Sequence, residues 1–379
     1  MRRLFSLPFY LKLAAIMISI IAIGYLMRIG QTIIVPLILG GLFALLLVPV
    51  CNWFEKKLRF HRTLAALVSL ILFSAFVGGL FTLIGSQLTL LKDDWPAFEK
   101  QIIGGIESLQ EWIRQTFNIG YNKQSEYLSQ TLNKSINQGT AIVGIALLSL
   151  SSVFILMVFT FLYTFFLLLY RRHILRFFLL LNKPQHQAII LEIAHEIQYV
   201  VKKYLIGLIL QMLIVAAMTF IALSIIGVKY SLMLSLITGV INVLPYIGIF
   251  AAMLMISLIT FATSSLTHVL FVVIALIVVH FIDSNFVVPK VVGSKVKVNS
   301  LFAMLAIIMG ELIWGVSGMF LAIPILAIMK IVFDRIYDLK PWGFLLGEED
   351  SSDHSYKILR SELYPEIVEI REVENKKDG

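Results

Sequence analysis

Long apolar runs, most of them closed by lysine or arginine, recur from one end of the chain to the other, and few folds accept such a pattern. A helix rises about 1.5 Å per residue, so roughly 20 apolar residues cross the ~30 Å of hydrocarbon in a bilayer. Residues 13–27, 32–50, 63–85, 140–170 and 205–226 form runs of that order. Composition agrees: 59% of residues are hydrophobic, 14% are charged and mean hydropathy is +0.90, well outside soluble averages. The formal net charge of +8 raises the question of nucleic acid. No RNA- or DNA-binding module is visible, and the lysines and arginines cluster between apolar runs, where the positive-inside rule expects them. Cys51 is the only cysteine, which excludes an intrachain disulfide and a cysteine-based zinc site; it reads as a small apolar residue at a helix end.

These features predict an all-α polytopic membrane protein. Residues 1–86 hold three spans, the first uncleaved with its N-terminus inside, and the loop with Lys56, Lys57, Arg59 and Arg62 is expected to be cytoplasmic. Residues 87–139 change character. Phe98, Ile102, Ile106, Leu109, Ile113 and Phe117 recur at helical spacing, which predicts an extracytoplasmic amphipathic segment. Span four follows at 140–170 and stops at Arg171 and Arg172. A cytoplasmic linker helix is expected over 171–204, where Glu192, His195 and Glu196 fit the polar face of a surface helix better than a metal site, since no second such helix and no HExxH pattern occur.

In the C-terminal core, 205–341, simple span counting fails. The apolar run 232–261 is interrupted at Asn242, Pro245 and Gly248, and a proline inside a helix removes a donor and clashes with the preceding turn. A full crossing would place Lys290, Lys295 and Lys297 outside; a re-entrant hairpin returns them inside, as the positive-inside rule prefers. The run 301–331 is long for one pass, and Gly310, Gly315 and Gly318 around Glu311, with Pro324 beyond, suggest a second interrupted segment. Between the two lies HFIDSNFVVPKVVGSKVKVN, residues 280–299. It sets His280, Asp283, Asn285, Pro289, Lys290, Gly293 and Asn299 directly after an apolar helix. A carboxylate near a bilayer core costs about 2.5–3.5 kcal/mol on insertion scales, so Asp283 is the leading pathway candidate, with Asn242, Asn285, Glu311 and His280 beside it. The plainer readings are that Asp283 pairs with Lys290 or caps a hairpin, and that Asn242 satisfies backbone opened by Pro245. Residues 342–379 read as a charged cytoplasmic tail.

The order INVLPYIGIFAA, HFIDSNFVVPKVVGSKVKVNSLFAML and MGELIWGVSGMFLAIPILAIMK closely resembles the AI-2E transporter family, the autoinducer-2 exporters and their relatives. The resemblance extends from the first span to about Trp342; Ser300 departs from the proline that many members carry after the position of Asn299. It implies about eight membrane segments, two of them interrupted or re-entrant, in the bacterial inner membrane with both termini cytoplasmic, and a homo-oligomer, with a pentamer as the guess. It also implies transport of a small polar solute such as autoinducer-2, or of a monovalent cation against a proton. A non-transport membrane scaffold is the third reading. No Walker A pattern, nucleophile elbow or metal-protease motif occurs, so neither ATP hydrolysis, a cofactor nor covalent catalysis is expected.

Overall fold

The computed structural model describes residues 8–93, 104, 153–244, 247–291 and 298–348. Within them the chain is helical and contains no strand. We number the helices α1 (Phe9–Ile29), α2 (Gln31–Lys57), α3 (Arg62–Asp93), α4 (Val153–Leu181), α5 (Gln187–Ile226), α6 (Ser231–Ile241), α7 (Ile247–Thr263), α8 (Leu266–Ile282), α9 (Ser300–Arg335) and α10 (Lys340–Leu346). After Ile282, α8 runs into a π-helical turn, Asp283–Val287, and a last helical turn, Val288–Val291. The expected segment 87–139 lies almost wholly outside the described residues, as do Pro245, Gly293, Lys295, Lys297 and the tail from 349.

Seven helices among the described residues are long and apolar enough to cross a membrane. The helix Gln187–Ile226 is a single rod of 40 residues, so only the part of the expected linker from 187 to 204 continues into span five without a break; residues 171–181 extend α4 past Arg171 and Arg172, and a short turn, Pro184–His186, separates the two helices. Burial explains how these helices are solvated. α1 buries none of its residues, and Ile16, Ile20, Ile21 and Ile23 stand exposed along it. An apolar surface of that extent is stable against lipid and not against water.

Close packing depends on small residues, as expected where lipid and protein are equally apolar. A side chain at Gly40 would strike the backbone of Thr160 and Thr164, so α2 and α4 meet backbone to backbone. Below that contact Arg171 of α4 donates to Asn52 Oδ1 at 2.9 Å, to Glu55 Oε1 at 2.7 Å and to Cys51 Sγ at 3.1 Å, while Arg172 reaches Glu55 Oε2 at 3.1 Å. Arg335 ties the end of α9 to Glu192 and Glu196 of α5 at 3.2 and 3.8 Å. Those acids therefore serve an interhelical ion pair, and among the described residues no cluster of three His, Cys, Asp or Glu could hold a metal.

Two helical hairpins occupy the C-terminal half. α6 and α7 form the first: Met233 and Leu234 near the start of α6 pack with Ile256 and Ile259 near the end of α7, which requires antiparallel arms. Gly248 is so close to the Ile241 carbonyl and Asn242 that no side chain fits there. With 11 residues, α6 is roughly 17 Å long and too short to cross a bilayer. The second hairpin is α9 itself. Its one non-helical residue is Gly315 at φ 59° and ψ −140°, a conformation that only glycine adopts readily. Gly310 and Gly318 lie in backbone contact, and Ile307 packs with Met319 and Ala322, so the arms fold back on each other. Pro324 corrects the sequence reading: it sits inside the helical second arm and not at the turn.

Candidate functional site

The site forms where the tip of the first hairpin meets α5 and the end of α8. Gly227 (φ 80°) and Tyr230 (φ 63°) reverse the chain after α5, so α6 lies antiparallel against it. Gly239 seats on the Met212 carbonyl and Ala216, which brings the two backbones together and sets the end of α6 beside Gln211. α8 is also antiparallel to α5, since Leu223 shares a cluster with Val272 and Leu276 near one end while Gln211 reaches Asp283 near the other. Three helices thus converge on one carboxylate.

Asp283 is 4% exposed. Gln211 Nε2 donates to both of its oxygens, at 3.2 Å to Oδ1 and 3.1 Å to Oδ2, and Asn242 Nδ2 donates to Oδ2 at 2.9 Å. Hydrogen bonds to a charged group are worth about 1.5–3 kcal/mol each, enough to offset part of the desolvation of a buried carboxylate. Among the described residues no Lys, Arg or His pairs with it. The expected partner Lys290 is exposed, about two helical turns further on. Because both amides donate to Asp283, their carbonyl oxygens are left as acceptors for a further group. Asp283 also opens the π-helical turn, an arrangement that often marks functional sites because one extra residue re-aims a side chain.

Of the residues singled out from the sequence, Asp283 and Asn242 come together. Asn285 is exposed and donates to the Phe281 carbonyl at 2.8 Å, capping its own helix. His280 is exposed, with Ser284 Oγ 3.4 Å from Nε2, and Glu311 is exposed near the α9 turn. None of the three reaches the Asp283 cluster: successive positions on a helix point in different directions, and His280 and Asn285 fall off the face that Val272, Leu276, Val279 and Asp283 share. Pro289 is exposed in the last turn, and Asn299 accepts from Leu301 N at 2.9 Å as the cap of α9 while its own N–H donates to the Leu346 carbonyl at 2.8 Å. Gln211 was missed by sequence reading, although it is the one polar side chain between Leu205 and Val215.

The two hairpin tips share a neighbourhood. Trp314, beside the α9 turn, and Val243, at the α6–α7 turn, pack into one apolar cluster with Leu205 and Leu208 of α5. Trp314 Nε1 also donates to the Met27 carbonyl at the end of α1 at 2.9 Å.

Apolar helices around two interrupted hairpins, with a buried carboxylate at one tip, define a polytopic helical membrane protein. A family model described as AI-2E family transporter matches residues 14–338, and the chain belongs to that family. The chain is 26% identical to YueF and 28% identical to YrrI, both of Bacillus subtilis (strain 168). The YueF match covers 82% of this chain and 85% of the relative, and the YrrI match 80% and 86%. It is 25% identical to YhhT of Escherichia coli (strain K12), over 89% of this chain and 93% of that one. All three bear the name "Putative transport protein".

Proposed function

We propose that the protein exports a small polar solute, with autoinducer-2 as the candidate, without ATP hydrolysis, and that Asp283, Gln211 and Asn242 form its solute-binding centre. The observation that carries the reading is the buried Asp283 carboxylate held by two amides at the tip of an interrupted hairpin. Broken helices at membrane depth are where transporters place substrate groups, because freed backbone and polar side chains are tolerated only when protein or a cavity covers them. A solute rich in hydroxyls would bond to the carboxylate and to the two amide oxygens. In this conformation the centre is closed, so access requires the α6–α7 tip to move away from α5. The hairpins are read as re-entrant, the termini as cytoplasmic, the location as the bacterial inner membrane and the assembly as a homo-oligomer, with a pentamer first in line.

The absence of a cationic partner for Asp283 among the described residues favours a second reading, exchange of sodium or lithium for a proton. A buried carboxylate without such a partner, beside the oxygens of two amides, offers the hard oxygen ligands that a sodium or lithium ion takes. Purified protein in liposomes separates the readings. Autoinducer-2 flux without proton movement supports export, sodium-driven proton movement supports exchange, and neither supports the scaffold.

A further inference from the structure

A groove of about 570 Å³ opens between the C-terminal half of α2 and α5. Leu46, Leu47, Val50 and Ile206 line its apolar length, and Trp53 and Lys202 stand at one end. Val50 and Trp53 are exposed, so the groove opens sideways onto the surface that faces lipid. At its other end Leu46 is also a wall of a second cavity of about 300 Å³, lined wholly by apolar side chains of α2, α3, α5, α6 and α9.

The polar end carries uncompensated positive charge. Lys57 Nζ lies 5.5 Å over the Trp53 ring, and Lys202 is half-buried with no ion-pair partner among the described residues. The neighbouring acids are committed elsewhere: Glu55 to Arg171 and Arg172, and Glu196 to Arg335. A tryptophan and a lysine at the mouth of an apolar groove, with a second lysine over the tryptophan ring, match an amphiphile with a negative head and a long chain. Tryptophan rings favour the headgroup level, and basic pockets between membrane helices hold anionic headgroups. We propose that this groove is a binding site for an anionic phospholipid, its phosphate between Lys202 and Lys57 and an acyl chain along Val50 and Leu46 toward the second cavity.

The test is native mass spectrometry of the purified full chain in mild detergent with phosphatidylglycerol or phosphatidylcholine added. Phosphatidylglycerol should be retained and phosphatidylcholine lost. Lys202→Gln should lower retention at least fivefold, and so should Val50→Trp, which fills the groove without changing charge. Lys203→Gln removes the same charge from a lysine that lies over Tyr199 and does not line the groove, and should leave retention unchanged. Elution volume and melting temperature identify any variant that misfolds, and Lys202→Gln, a change at a partly exposed position, carries the test if Val50→Trp does so. Equal retention of both lipids, or equal loss in Lys202→Gln and Lys203→Gln, overturns the site. So does a lipid-free oligomer that Val50→Trp dissociates, since a second copy would then fill the groove.

Discussion

Asp283 concentrates the chemistry, and its substitution separates charge from shape. Asp283→Asn keeps the size and one acceptor, so a packing role should survive it. A centre that uses the carboxylate should lose tenfold or more in transport rate, since a charge-assisted hydrogen bond is worth about 1.5–3 kcal/mol and about 1.4 kcal/mol is tenfold. If exchange against a proton is the activity, the pH dependence of transport should vanish as well. Gln211→Leu should give a loss of similar size by removing the donor that spans both carboxylate oxygens. The double variant should cost little more than either single one, because both act on one unit; additive losses measured in the same liposome assay would separate Gln211 from the centre. Asp283 and Asn242 were legible in the sequence because charge or proline stands out in an apolar run. Gln211 carries neither signal, and only its isolation among aliphatic neighbours marks it. Glu311 and His280 drew notice for their charge or titratable ring, but in a chain apolar on every face periodicity cannot say which way a residue points.

Among the elements, the α5–α6 contact governs how Asn242 is presented. Gly239 allows it, and Gly239→Leu would push α6 off α5 and draw the Asn242 amide from Asp283. Overpacking of this kind costs about 1–3 kcal/mol, so the melting temperature should fall and transport should fall further than stability alone explains. Gly24→Leu on α1, where a side chain meets nothing, is the control and should change neither. Wild-type transport in Gly239→Leu would show that α6 need not sit on α5. Both hairpins were legible in outline, because proline and paired glycines within runs of awkward length argue for a break. Their details were not. The α9 turn falls at Gly315, while Pro324 is absorbed into a helix, since membrane helices can re-satisfy the backbone that proline frees. The π-helical turn at Asp283 left no mark in the sequence, for its spacing differs from an α-helix by a single residue.

At the scale of the whole molecule the decisive quantity is which ends of the helices share a side. Leu223 near the end of α5 packs with Val272 near the start of α8, and Gln211 with Asp283, so the Lys290 end of α8 lies toward the start of α5. Lys229, in the turn after α5, lies at the opposite end. Lys56, Lys57, Arg171 and Arg172 gather at the end that the positive-inside rule assigns to the cytoplasm, and Arg171 joins α4 to α2 there. Cys51 is the only native thiol, and Cys51→Ser keeps an acceptor for Arg171, which provides a background for single-cysteine labelling. Thiols placed at Lys183 and Lys290 should react with a membrane-impermeant reagent from the cytoplasmic side alone, and one at Lys229 from the outer side alone. Labelling of Lys290 and Lys229 from the same side would mean that α6 and α7 together complete a crossing. That result would remove the re-entrant hairpin and, with it, the reason for placing a solute site at its tip.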